Sequence, residues 1–417
     1  MILPDGSVPA SDVIMLHHAV WLNLSAPDMT VPSIPERFFA TGEEKSELTL
    51  PTGFGYPYSP SDQWLLNYML HVLVDQSFDV RVTYDLDFVP AVGRVKLRSV
   101  RPIWMDVDNG SNYPVFDAVA GAGVNGRYTY PAMANNPYGN GPKKNEYTVP
   151  TGGVIVQTMG HLHAGGLSTE LFVTRQLRRG PKTGRLFKSD AVYYEPGGPV
   201  SWDVSMTATP ATWKVHVRPG DVLSLQATYD TSDWSWFESM GINIAWFAPG
   251  GGGKGTFNPA VDVPGAVTHG HLAENDNHGG GVDLGLPDPA TLPNGAATSA
   301  VTIQNFEYGA TDLDFLPQIP TVTQGSSITF TNRDTPANGF GIAHTITACR
   351  LPCNKSTGIA FPTANAPITF DSGQLGNFGQ PTLGTRTWST PANLPTGDYT
   401  FFCRVHPFMR GAFRVTQ

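Results

Sequence analysis

Phe401-Phe402-Cys403-Arg404-Val405-His406-Pro407-Phe408-Met409-Arg410-Gly411 is the stretch on which the reading of this chain turns. It sets a Cys, a His and a Met in Cys-x2-His-x2-Met spacing, on a loop between two runs of strand-forming residues. Upstream, Gly341-Ile342-Ala343-His344-Thr345-Ile346-Thr347 puts another His at the head of a strand. Two imidazoles and a thiolate with a weak axial thioether form the donor set of a blue-copper site. Thiolate and thioether stabilise Cu(I), imidazole suits both oxidation states, and an enforced compromise geometry keeps reorganisation small. The expected type 1 ligands are therefore His344, Cys403, His406 and Met409.

Working outward, composition agrees with a β architecture. The 417 residues include 45 Gly and 36 Pro, too many helix breakers for long helices. Hydrophobic residues make up 40% and the net charge is -9, which argues against disorder. The acidic balance also argues against a nucleic-acid partner, which needs a basic face. No apolar run reaches the roughly 18–20 residues of a membrane span. Val80-Arg81-Val82-Thr83-Tyr84-Asp85-Leu86-Asp87-Phe88 alternates apolar and polar without a fault and predicts a strand. Residues 213–218, 221–229, 327–332 and 412–416 predict further strands, with turns at Asp5-Gly6, Asn109-Gly110 and Pro219-Gly220.

The fold class is thus all-β, built of sandwiches. Linkers at 135–144 and from Pro249 onward suggest domains at 1–148, 149–250 and 301–417, with a Gly/His-rich connector at 251–300. Gly253-Lys254 is not a phosphate loop, because no Ser or Thr directly follows the Lys and no helix follows the run. Cys349 and Cys353 read as a short-loop disulfide, with a second metal site as the alternative. A disulfide implies an oxidising compartment, so an extracytoplasmic protein, secreted or periplasmic, is expected. The polar N-terminal stretch shows no signal peptide.

The remaining histidines cluster. His17 and His18 are adjacent, and on an ideal strand they would face opposite ways, so a shared metal requires a bulge or a strand end. His71 heads into the next predicted strand. His161 and His163 form a His-x-His whose alternate positions share a face, with flanking Gly residues opening space around them. His269, His271 and His278 lie in the connector and could hold one more copper or zinc, or be a solvated loop. His216 reads as plain surface.

Taken in order, these features resemble the copper monooxygenases that include peptidylglycine hydroxylating monooxygenase and dopamine β-monooxygenase. The resemblance covers about residues 10–248, and residues 301–417 resemble an amicyanin-like cupredoxin. It implies two jelly-roll-like β-sandwich domains followed by a Greek-key cupredoxin sandwich. It implies one type 2 copper on His17, His18 and His71. A second, catalytic copper is implied on His161, His163 and Met240. Dioxygen and an organic small molecule would be the substrates, with C–H hydroxylation as the reaction and the type 1 copper as electron relay. An external electron donor is the alternative to that relay. The peptide hydroxylase has an Arg where Met159 stands, and Asn and Tyr where Ile242 and Ile244 stand, so a glycine-extended peptide is not the expected substrate. Residues 1–348 also lack the family's disulfide cysteines. Two competing functions remain open: a multicopper oxidase, such as a laccase or nitrite reductase, and a non-enzymatic copper electron carrier. Phe402 and Arg404 flank Cys403 where a laccase has His on both sides, which disfavours the laccase arrangement.

Overall fold

The computed structural model describes residues 1–11, 13–42, 46–93, 95–111, 114–119, 121–194, 203–232, 236–250, 263–271, 285–334, 342–349, 368–376, 385–406 and 408–417. Among them the secondary structure is all β, with a few single-turn 3-10 segments and no α-helix. Among the described residues no helix is long and apolar enough to cross a membrane.

Three strands, Pro35–Gly42, Ile14–Pro27 and Trp64–Val72, form a small antiparallel sheet in that order. A larger, eleven-stranded sheet follows the path Arg101–Asp106, Ile242–Pro249, Gly153–His161, Val204–Ala208, Gly180–Tyr193, Gly166–Leu177, Val222–Asp230 and Arg127–Tyr130. The strands at Arg101–Asp106, Arg127–Tyr130 and Glu146–Thr148 pair with strands beyond residue 149, so this sheet runs across the position read as a domain boundary.

One face of the larger sheet positions the histidines. Asp106, Ile242 and His161 are register partners across three neighbouring strands. Trp104, Ile244 and Met159 form the next row but one, and residues two apart on a strand share a face. Trp104, Ile242 and Ile244 belong to a buried apolar cluster against which Val20 and Ala40 of the small sheet pack. The small sheet therefore lies over this face and brings His18 with it.

The C-terminal unit is a sandwich of a six-stranded and a three-stranded sheet. The six strands run Asn294–Ala297, Ile319–Thr323, Arg410–Thr416, Gly397–Phe402, Thr347–Cys349 and Ile368–Asp371. Val301, Phe330, Phe401 and Phe413 are buried between the sheets, and Cys403 and Met409 join the same core. Each fully buried aromatic contributes on the order of 2–3 kcal/mol by its removal from water.

The strands expected at 213–218, 221–229, 327–332 and 412–416 are found as Val215–Val217, Val222–Asp230, Thr329–Asn332 and Arg410–Thr416. The strand expected at Val80–Phe88 is not. It makes a single bridge, Ile2 to Arg81, and Tyr84, Leu86 and Phe88 are exposed. The alternation is present, but among the described residues no strand lies beside it.

Candidate metal centres

The mononuclear centre is built at the end of the Gly397–Phe402 strand. Cys403 Sγ lies 3.8 Å from His344 Nδ1 and 3.7 Å from His406 Nδ1, and the two ring nitrogens are 3.3 Å apart. The point equidistant from the three atoms lies about 2.1 Å from each, in the range of metal–nitrogen and metal–sulfur bonds. The three donors thus fit a trigonal ion without moving. Cys403, His344 and Met409 are buried and His406 is partly so. The loop is closed by Cys403 N–H donating to the Met409 carbonyl, 3.2 Å, and Met409 N–H donating to the His406 carbonyl, 2.9 Å.

Neighbouring groups set the donors' orientation and charge. His344 Nε2 lies 3.0 Å from Asp334 Oδ2, which turns Nδ1 toward the sulfur. A carboxylate on the far nitrogen of a metal-binding His raises its basicity. Burial pushes the Cys403 thiol up, but the His344 ring and the N–H groups of Thr345 and His406 hold it below its ordinary value. Burial, His344 and His71 lower His406 well below the usual imidazole range, so its lone pair is available to a metal at neutral pH. Phe306 and Phe408 flank the His406 ring at 4.9 and 6.0 Å.

The second centre joins residues far apart in the chain. The ring-nitrogen donors of His17, His18 and His163 lie within 4.8 Å of one another. His18 Nε2 is 2.8 Å from His163 Nε2. Two ligands about 2.0 Å from one ion, at a right angle, stand about 2.8 Å apart. His71 stacks 4.9 Å from His17, and His161 lies 5.2 Å from His18 and 5.3 Å from His163. The two ligand sets implied by the monooxygenase resemblance are therefore drawn into one group of five rings. The physical reason is the docking of the small sheet on the larger one.

A β-bulge makes the adjacent pair usable. Leu16 pairs with Leu70 and His18 with Met69, so His17 is an extra residue in the ladder. A bulge re-aims one side chain, and here both imidazoles meet the same group. The Gly153–His161 strand ends at His161, and His163 follows in the turn. Its flanking glycines serve packing. A Cβ at Gly160 would stand 2.3 Å from Thr169 Oγ1, and one at Gly165, where φ is +88°, 2.2 Å from the Trp236 ring. The space that the sequence assigned to a metal is filled by Thr169 and Trp236.

His163 is held on two sides. Its backbone N–H donates to Tyr229 Oη, 3.1 Å, and its ring donates to the Glu238 carbonyl. Glu238 has φ +54°, a left-handed conformation rare outside glycine and found where a carbonyl must be aimed. Burial and the rings of His17, His18 and His161 lower His163 well below the imidazole range. Met240 is buried, and its backbone N–H and carbonyl both bond Tyr229 Oη, at 3.1 and 2.7 Å. One hydroxyl thus ties Met240 to His163.

Two pockets meet the histidine group. A small half-open pocket lies between the sheets, where His18 and His161 face Val20, Trp104, Met159 and Ile244. A second is lined by His17, His71 and His163 together with Thr345, Arg404 and Val405 from around Cys403. Arg404 stands over the Trp236 ring at 5.6 Å, and its guanidinium is 3.5 Å from Asp371. The Cys403–Met409 loop thus packs directly on the histidine group.

The connector histidines fall differently. His271 Nδ1 bonds the buried Asp203, and His269 Nδ1 bonds the Gly270 carbonyl at 2.6 Å. His278 lies outside the described residues, as do Cys353 and its expected bridge to Cys349. His216 is exposed. Sequence reasoning missed Asp334, Glu238, Tyr229, Arg404 and Asp106. Of these only Arg404, next to Cys403, carried a positional signal.

No protein-family model matches the sequence, and no curated protein matches it. Among solved structures, an oxidised amicyanin variant aligns at 18% identity and a TM-score of 0.18, covering 31% of this chain and 90% of its own. A purple cupredoxin from Nitrosopumilus maritimus aligns at 19% identity and a TM-score of 0.19, over 28% of this chain and 99% of its own. A copper-containing nitrite reductase from Thermus scotoductus aligns at 13% identity and a TM-score of 0.17, over 64% of this chain and 59% of its own. At these identities and scores the likenesses establish no family, and the reading of the two centres stands on their donors.

Proposed function

We propose that the chain is a copper oxidoreductase of the multicopper type. In this reading a mononuclear site at His344, Cys403, His406 and Met409 exchanges electrons within the chain with a site at His17, His18 and His163. One observation carries it: Thr345, Arg404 and Val405 line the same pocket as His17, His71 and His163. Copper would supply one-electron transfer at the first site and reactivity toward a small oxidant such as dioxygen at the second.

The chain's own residues do the rest. Asp334 fixes the His344 ring, and the N–H groups of Thr345 and His406, 3.4 and 3.3 Å from Cys403 Sγ, spread the sulfur's negative charge. The aromatic wall around Cys403 excludes water, which keeps reorganisation small. The described lining of the pocket facing His18 and His161 is largely apolar, with Val20, Ala40, Trp104, Met159, Ile242 and Ile244 around it, which suits a small neutral molecule. Asp106, in the row of His161, is raised to about 7 by burial and can hold a proton on its carboxyl near neutrality.

The 2.8 Å approach of His18 to His163 favours an oxidase-like arrangement over two separate coppers. C–H hydroxylation is the second reading, supported by the Tyr229 hydroxyl that ties Met240 to His163. Rapid mixing of reduced, copper-loaded protein with dioxygen tests the proposal. The blue band should return quickly in wild type and slowly in His17→Ala/His18→Ala. Equal rates would refute intrachain transfer. The product separates the readings: water or peroxide without organic substrate supports the oxidase, and dependence on organic substrate and on Met240 supports hydroxylation.

A further inference from the structure

The arm Val80–Phe88 takes no part in either centre. It has the alternation of a strand and, among the described residues, no strand beside it. Arg81 exchanges both of its backbone hydrogen bonds with Ile2, N–H to carbonyl, at 2.9 Å each. No backbone hydrogen bond reaches residues 82–89 from another described residue. Along an extended chain, successive residues direct their N–H and C=O groups to opposite edges. The edge of Val82, Tyr84 and Leu86 is therefore turned away from Ile2 and open. The same residues, with Val80 and Phe88, form an apolar face; Val80 and Val82 are half-buried and the Tyr84 ring meets Trp21 edge-on at 5.7 Å, while Tyr84 stays 54%, Leu86 58% and Phe88 67% exposed. An exposed, apolar, unpaired strand is a template for pairing.

We propose that this arm pairs antiparallel with the same arm of a second copy of the chain, about a two-fold axis at Tyr84. The charges select both the occupant and the register. Centred on Tyr84, the pairing sets Arg81 of each copy opposite Asp87 of the other, Val82 opposite Leu86, and Val80 opposite Phe88. Centred on Asp85, it sets that carboxylate against itself. Centred on Thr83, it sets Asp79 against Asp87. Only the Tyr84 register among these three pairs opposite charges without facing like ones, and twofold symmetry forms each ion pair twice. Such a contact is isologous and closes at the dimer. The apolar residues then lie together on one face of the new ribbon.

Sedimentation velocity on the copper-loaded full chain across the micromolar range tests it. Wild type should be dimeric. Arg81→Asp and Asp87→Arg each turn two ion pairs into two like-charge pairs and should weaken the dimer by at least about tenfold, as cross-strand charge pairs do. Both residues are exposed, so neither change should disturb the fold, and an unchanged blue band reports that. The double variant Arg81→Asp/Asp87→Arg should restore the dimer. A monomeric wild type, a dimer indifferent to the single changes, or a double variant no tighter than the singles overturns the proposal. A stable complex of the arm with an unrelated protein, with no self-association, overturns it equally.

Discussion

Replacing Asp106 by Asn should change how stability depends on pH. Asp106 is 1% exposed, and burial raises its carboxyl from 3.8 to about 7, with the Asp108 N–H and Arg37 opposing that rise only in part. The folded protein therefore keeps a proton that the unfolded chain releases near pH 4. Between the two values the folded state binds more protons, so stability must fall as pH rises. The loss is complete above pH 7 and absent below pH 4. At 1.36 kcal/mol per tenfold, the interval corresponds to at most about 4 kcal/mol. Asn cannot ionise, and its carbonyl oxygen can still accept the Asp108 N–H, which now bonds Asp106 Oδ1 at 2.9 Å. Chemical denaturation of both proteins, followed by tryptophan fluorescence from pH 4 to 8, should show the Asn variant gaining on wild type by several kcal/mol. The other carboxyls that burial raises, Asp117, Asp312, Asp314 and Asp371, are common to both proteins and cancel in the difference. A difference that stays flat with pH would mean that Asp106 ionises as a solvated carboxyl does, and it would remove Asp106 as a proton store beside His161.

Three further outcomes are expected. Cys403→Ser should abolish the intense visible thiolate band and leave the type 2 EPR signal, and survival of the band would refute the assignment of the sulfur. Asp334→Ala releases the far nitrogen of His344 and should weaken copper at the mononuclear site by about 10–100-fold in a competition titration, with the histidine group unaffected. Gly165→Ala forces a Cβ toward Trp236 at a left-handed φ, and thermal unfolding should show a loss of roughly 2–3 kcal/mol.

The two centres differ in how much of them the sequence displays. Cys403, His406 and Met409 fall within seven residues of one loop, so spacing alone groups them, and His344 is carried to them by the strand it heads. The histidine group has no such economy. His17 and His18 point to opposite faces of a regular strand, and the extra residue that reconciles them depends on where the Trp64–Val72 strand falls in register. The meeting of His18 with His163 depends on one sheet lying over another, a contact between residues 145 positions apart. Local pattern carries none of that. The same limit explains Val80–Phe88, whose alternation states that a face is apolar but not which body covers it. Asp334 and Glu238 were invisible for a related reason, because a carboxylate or a carbonyl aimed at a ring is defined by backbone direction and not by residue type.

The convergence of His18 and His163 would also turn a bound metal into a clasp. Each ring belongs to a different sheet, so an ion bound by both is bound only while the sheets are closed. Its binding free energy then adds to the closed form alone, as RT ln(1 + [Cu]/Kd). Stripped of copper, the small sheet from Ile14 to Val72 loses that clasp while the C-terminal sandwich keeps its own core. Amide protons of the Ile14–Pro27 strand should then exchange faster on copper removal than those of the Gly397–Phe402 strand, and the metal content of the protein would be readable as the rate at which one sheet lifts from another.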